Sequence, residues 1–296
     1  MERRTIFPQR GLPALLVAPQ LAVTIVFFFW PAAQAIRLSF EQQDPFGLST
    51  VFVGLDNYAA LLADASWRAS AARTLVFCAS VSVLSMALGL VFAVFADQEL
   101  RGRAIYRMLL IWPYAVAPAL AAVLWILLLH PQIGLLGRGL DHVLAWFGAR
   151  WDYKIDGAQA MLAVILASAW KQVSYNFIFF LAGLQSIPRA VTEAARMDGA
   201  KGWRRFRTIT LPLLMPTMVF LLVVNVTYAA FDTFGTIQAM TQGGPGTSTE
   251  TLVVKVYRDG HDNGDLGGSS AQSVVLMVLV IALTAAQFRA FGRERD

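Results

Sequence analysis

The stretch Thr74–Ala96, TLVFCASVSVLSMALGLVFAVFA, contains no charged side chain, and its reading decides the fold of the whole chain. A helix rising 1.5 Å per residue needs about 20 such residues to cross the ~30 Å hydrocarbon core of a bilayer. Five further stretches share this character: Gly11–Ile36, Met108–Leu129, Gly157–Pro188 interrupted only by Lys171, Thr208–Phe231 and Leu266–Phe288. In hydrocarbon an isolated segment must satisfy its own backbone donors and acceptors, which a helix does, and the alternation of a barrel strand is missing. The expected fold is an all-α membrane protein, one transmembrane domain over residues 1–296. Its six transmembrane helices are placed near residues 11–36, 74–96, 108–129, 160–184, 211–232 and 268–288.

Composition agrees with this reading. Of 296 residues 57% are hydrophobic and 15% charged, whereas about a quarter are charged in ordinary soluble domains. Arg3, Arg4 and Arg10 precede the first stretch, as they would in a cleavable signal ending at Ala33-Gln34-Ala35. The run Gly11–Ile36 exceeds the ~7–15 apolar residues of a signal core, so it is read as a retained first span.

Lysine and arginine set the orientation. With the N-terminus inside, the inner segments hold fifteen of the 24, including Arg101, Arg103 and Arg107, the loop from Arg189 to Arg207, and Arg289, Arg293 and Arg295, against eight in the outer loops. Both termini are thus expected on the cytoplasmic side. The net charge of +5 follows from this bias, and no nucleic acid partner is expected.

Several function classes lose their residues. Cys78 is the single cysteine, and His130, His142 and His261 match no metal or triad spacing. No G-x-x-x-x-G-K-[ST] loop exists, so any ATP that drives the protein is bound by another subunit. A secondary carrier would need ion-coordinating acids within the spans, where Asp232 is the one candidate, near an edge.

Two irregularities concern the spans and their connections. Pro113 and Pro118 lie inside the third apolar run, where each removes a backbone donor, so a kink or a broken helix is expected. The outer loop Thr233–Asp265 contains Gly243-Gly244-Pro245-Gly246, which forces turns and is read first as a plain surface loop.

The inner loop 185–212 carries the most charge. Ser186 suits a helix cap, Pro188 an early helical position, and Gly199 a C-terminal stop, which predicts a helix of roughly ten residues, about 15 Å long. Its alanines permit close approach of another surface, and Glu193 offers a carboxylate to a basic partner.

Glu193-Ala194-Ala195, three residues, Gly199, nine residues, then Ile209-Thr210-Leu211-Pro212 resembles the E-A-A-x3-G-x9-I-x-L-P signature of permeases in binding-protein-dependent ABC importers. The resemblance implies that this short helix docks on an ATPase, with Glu193, Ala194, Ala195 and Gly199 as coupling residues. Phe52–Tyr58 and Thr241–Pro245 resemble the sugar-permease branch of that family. Val17–Gln20, Trp170–Phe177, Phe231–Phe234 and Ala271–Met277 are similar to its glycerol-3-phosphate permeases. The implied partners are a second six-span permease, an ATPase dimer that binds ATP and Mg, and a periplasmic or lipid-anchored binding protein. This chain itself is expected to bind no cofactor or metal and to sit in the bacterial inner membrane. The implied cargo is sn-glycerol-3-phosphate or a related glycerophosphodiester, with a neutral sugar or oligosaccharide as the alternative.

Lys171 lies near the middle of the fourth span, roughly 16 Å from the nearest interface and beyond the ~6 Å reach of a lysine stem. A charge at that depth costs at least ~2.5 kcal/mol by insertion scales and by default faces a partner or a wet cavity. Gln172, Tyr175 and Asn176 follow at helical spacing, and Asn225, Tyr228 and Asp232 lie on the fifth span. These seven residues are the candidate substrate pathway. The competing reading is a structural pair of Lys171 with Asn225 or Asp232 that holds two helices together.

Overall fold

The structure, a computed structural model, describes residues 11–44, 49–98, 102–200 and 202–292. Arg3, Arg4, Arg10, Arg101, Lys201, Arg293 and Arg295 of the orientation argument lie outside them. In chain order the elements are α1 (Gly11–Thr24), α2 (Trp30–Leu38), β1 (Glu41–Gln43), β2 (Thr50–Phe52), α3 (Asp56–Ala63) and α4 (Ala65–Ala96). There follow α5 (Arg103–Ile111), α6 (Pro118–Leu129), α7 (Leu135–Ala145), α8 (Gly157–Ser186), α9 (Arg189–Met197) and α10 (Gly202–Arg205). The last are α11 (Leu211–Thr227), α12 (Phe234–Met240), α13 (Leu252–Tyr257) and α14 (Leu266–Gly292).

The apolar stretches become helices. Among the described residues five are long and apolar enough to cross a membrane: Ala14–Leu38, Ala65–Ala96, Gly157–Ser186, Gly202–Asp232 and Leu266–Arg289. The third stretch departs from a simple kinked span. It is a pair of helices meeting at 108°, Ala104–Ala115 and Pro118–Leu129, and counts as a sixth span only if the pair is taken together. The cause is local: Pro113 sits in a 3-10 turn, Trp112–Ala115, and Ala117 is extended (ψ 141). A residue before proline is pushed out of the helical region, while Pro118 itself suits the first position of α6.

The chain divides into two compact units. In the first, up to Asp64 with Val256–Leu276, the expectation of an all-helical chain fails at one place. β1 and β2 form an antiparallel pair in the register Glu41↔Phe52, Gln42↔Val51, Gln43↔Thr50. Asn57 fastens this hairpin, its Nδ2 donating to the carbonyls of Ser39 (2.9 Å) and Glu41 (3.0 Å).

The second unit, Ala65–Lys255 with Met277 onward, holds the polar groups of the spans. α4 crosses α8 closely enough that a Cβ on Gly89 would lie 2.5 Å from Asn176 Cβ and 3.1 Å from the Phe177 nitrogen. The core on either side of this crossing includes Phe77, Val81, Val164, Phe177, Phe180 and Leu221, each fully buried. Asp156 caps α8, accepting from the nitrogens of Ala158 (2.8 Å) and Gln159 (3.0 Å).

The glycine-rich loop between α12 and α13 is not a plain surface loop. Thr249, Glu250 and Thr251 are buried. Ser70 Oγ donates to Glu250 Oε1 at 2.9 Å, Arg73 donates to Thr247 Oγ1 at 3.0 Å, and the Leu252 nitrogen donates to Thr74 Oγ1 at 2.8 Å. The loop is thus fastened to the first turns of α4 by groups that its local sequence does not reveal.

Candidate functional site: a charged chamber and a coupling helix

A cavity of about 630 Å³ opens beside Lys171 in the second unit. Lys171, Gln172 and Tyr175 from α8 line it, as do Tyr228 and Asp232 at the far end of α11. Residues Tyr228–Asp232 form a π turn. Such turns occur mostly as single-turn bulges inside α-helices and are frequent at functional sites. Among the described residues no ion pair or hydrogen bond joins Lys171 to Asp232. Among its described lining residues the chamber therefore holds one base, half-buried Lys171, and one acid, exposed Asp232, which are not bonded to each other.

Sequence reasoning missed five lining residues, Tyr114, Pro118, Val223, Val224 and Thr227. Tyr114 and Pro118 come from the break between α5 and α6. The signal was present, because a helix interrupted at membrane depth is tolerated chiefly where it lines a cavity. Aromatic packing holds the wall: Tyr114 meets Tyr175 at 5.8 Å between ring centroids, and Tyr175 meets Phe179 at 4.7 Å. Trp170 makes edge contacts with Trp112 at 6.3 Å and Trp125 at 6.1 Å, one on each side of the break.

Asn176 and Asn225 are placed elsewhere. Both are fully buried and exchange amide hydrogen bonds, Asn176 Nδ2 to Asn225 Oδ1 at 2.9 Å and Asn225 Nδ2 to Asn176 Oδ1 at 2.8 Å. Ser85 Oγ adds a third bond to Asn225 Oδ1 at 2.9 Å, so the cluster ties α4, α8 and α11 together. Asn225 is thereby occupied and is not the partner of Lys171. Removing one member strands its buried partners at a cost of about 1–3 kcal/mol each. Asn225→Leu is accordingly expected to lower the thermal midpoint of the detergent-purified protein. The double change Asn176→Leu with Asn225→Leu should cost less than the sum of the singles, because no amide is then left alone. Equal thermal stability of Asn225→Leu and the parent would contradict the clamp.

The second candidate site is α9. Its nine residues match the predicted short helix, but its N-terminus differs in detail. Ser186 belongs to the end of α8, its hydroxyl donating back to the Gly183 carbonyl at 2.8 Å, and Pro188 precedes α9 instead of entering it. At the other end Gly199 has φ +77, and the Ala200 nitrogen donates to the Ala195 carbonyl at 2.9 Å, closing the helix as a left-handed cap does. The paired alanines part company. Ala195 is buried against its own chain, whereas Glu193, Ala194 and Met197 are exposed.

A membrane helix set of this topology, with a broken span, a charged chamber and an exposed short helix carrying the E-A-A segment, defines an importer permease. The chain belongs to the binding-protein-dependent transport system inner membrane component family, whose profile matches residues 58–295. It is 55% identical over 284 residues to the sn-glycerol-3-phosphate transport system permease protein UgpA of Agrobacterium fabrum, covering 96% of each chain. It is 52% identical to the protein of that name from Escherichia coli O157:H7, covering 97% of this chain and 96% of that one. Among solved structures, a chain of a bacterial alginate ABC transporter superposes with a TM-score of 0.79 at 19% identity over 97% of this chain and 96% of that one. A chain of the MetNI methionine ABC transporter gives 0.53 at 18% identity over 74% and 91%. The chain is a transport component and not an enzyme.

Proposed function

We propose that this chain is the permease subunit of an ATP-driven importer for sn-glycerol-3-phosphate or a related glycerophosphodiester, and that the Lys171 chamber is its half of the translocation pathway. The observation that carries the reading is the cavity of about 630 Å³ in which the ammonium of Lys171, on an apolar span, stands among four hydroxyls and the Gln172 amide. An anionic phosphate suits that charge, and Gln172, Tyr175, Thr227 and Tyr228 offer donors and acceptors to a glycerol moiety. Identity above one half to permeases named for this solute supports the choice of cargo.

In this reading six spans run with both termini in the cytoplasm of a bacterial cell, across its inner membrane. A second six-span permease completes the pathway, an ATPase dimer binds ATP and Mg against α9, and a periplasmic or lipid-anchored protein delivers the solute. The test is ATP-dependent uptake of labelled sn-glycerol-3-phosphate into vesicles holding the whole importer, with glycerol and a disaccharide as competitors. Competition by the disaccharide but not by glycerol-3-phosphate would reassign the cargo to neutral sugars.

The orientation has its own test. Cysteines replacing Ala149 and Arg204, both exposed, should react with an impermeant maleimide from opposite sides of the membrane. The native Cys78 is buried and gives little background. Reaction of both positions in intact cells would refute the six-span arrangement.

A further inference from the structure

A second cavity in the same unit, of about 600 Å³, has no part in the chamber. Its floor is aliphatic and aromatic, built from Leu90, Val91, Val94 and Phe95 of α4. Its rim carries Asp97 and Gln98, just past α4, together with Trp203 and Arg205 of α10. The floor is open, with Val91 46% and Phe95 58% exposed, and Trp203 stands 72% exposed while stacked on Phe206 at 5.3 Å. Among the described residues no ion pair joins Asp97 to Arg205. Among the described residues its mouth thus carries one exposed acid, Asp97, and one half-buried base, Arg205, neither ion-paired to the other, which calls for a ligand that brings both charges and a hydrocarbon tail.

We propose that the groove holds one zwitterionic, amine-bearing phospholipid of the phosphatidylethanolamine type. Its phosphate lies on Arg205, its ammonium on Asp97 and an acyl chain along Leu90, Val91 and Val94. Three observations favour this occupant. From Asp97 to Leu90 the helix rises about 10 Å, so the floor descends from a charged rim to hydrocarbon depth as an acyl chain does. Trp203 supplies the indole that membrane boundaries favour. The opposed rim charges fit a dipolar headgroup: a purely anionic one would set its phosphate against Asp97, and a trimethylammonium has no N–H to donate to that carboxylate. Asp97 follows α4, whereas Arg205 belongs to the segment that leaves α9, so the headgroup braces the coupling segment against a span. The inference rests on the membrane placement and on the role for α9 proposed above.

The experiment uses the whole importer, reconstituted in vesicles of phosphatidylcholine alone or with added phosphatidylethanolamine or phosphatidylglycerol. Retained lipid is then read by native mass spectrometry after mild extraction. Phosphatidylethanolamine should be retained in preference to the other two. Arg205→Gln should lower its retention by about tenfold, the size expected for one charge-assisted contact. Val91→Trp, which fills the groove, should do the same, and Asp97→Asn should abolish the preference for the ethanolamine headgroup over choline. Unchanged retention in Arg205→Gln, preferential retention of phosphatidylglycerol, or crosslinking of a photoreactive residue at Val91 to a partner subunit would each overturn the proposal. Because bound lipid is counted without any transport, normal retention in Glu193→Ala upholds the lipid site even if the coupling role of α9 fails. In the parent importer, retention of phosphatidylethanolamine no greater than of the other two lipids, with normal coupling, sinks the lipid site alone.

Discussion

Lys171→Met, in the assembled importer, should reduce glycerol-3-phosphate uptake by about tenfold to a hundredfold, the equivalent of ~1.5–3 kcal/mol for one hydrogen bond to a charged group. The protein should still fold and insert. Methionine keeps much of the lysine stem, and the change removes a charge that costs free energy at membrane depth. Asp232 makes no ion pair with Lys171 among the described residues and is itself exposed, so its carboxylate stays solvated after the loss. This separates the chamber reading from the structural pair. If the two held α8 to α11, Lys171→Met would lower the thermal midpoint and Asp232→Asn would restore it, because breaking a buried pair costs several kcal/mol. Initial uptake rate and thermal midpoint of the purified complex, measured on the same preparations, decide the matter. A stable Lys171→Met variant with normal uptake would remove Lys171 from the pathway. Asp232→Asn supplies a check on sign: it takes away the one negative charge among the described residues of the chamber wall, and uptake of an anion should be kept or improved.

The parts of this molecule legible in its sequence are those where a cost in free energy has few remedies. A lysine in mid-span must find a cavity or a partner, and the cavity is there. Two prolines in one apolar run must interrupt it, although the 108° angle depends on how α6 packs against α7, α8 and α12. The amides were harder to place, since Asn176 lies one turn from Gln172 and shares its stripe. An asparagine in a span is satisfied equally by a wet wall or by another asparagine, and helical spacing does not distinguish the two. The loop at Gly243 to Gly246 misled for a related reason. Its glycines report turns, while its burial is set by Ser70, Arg73 and Thr74, far away in the chain. The hairpin Glu41–Phe52 was missed because three-residue strands leave no usable alternation.

Gly199→Val should uncouple the importer: the ATPase would still assemble and hydrolyse ATP, while solute uptake falls by about tenfold or more. The argument is one of backbone alone. A Cβ at Gly199 meets no atom within 4 Å, so no clash opposes a side chain. What opposes it is φ +77, a left-handed conformation that costs most L-residues about 1–2 kcal/mol and a β-branched one more. Valine would therefore unwind the cap at the end of α9 and shift the exposed Glu193, Ala194 and Met197 relative to the ATPase proposed to dock there. Asparagine tolerates that conformation, so Gly199→Asn should keep most of the uptake, a rescue that a steric account of the glycine would not expect. Glu193→Ala tests the same surface without touching the backbone and should lower uptake while leaving the spans inserted. Ala195 gives the internal control, because it is buried at 4% exposure within its own chain. Ala195→Leu should disturb the seating of α9 and thermal stability together, whereas enlarging exposed Ala194 to leucine should disturb ATPase docking alone. The readouts are the ratio of solute transported to ATP hydrolysed and the co-purification of the ATPase with each variant. Full coupling in Gly199→Val, with the ATPase bound as in the parent, would remove the left-handed cap from the mechanism.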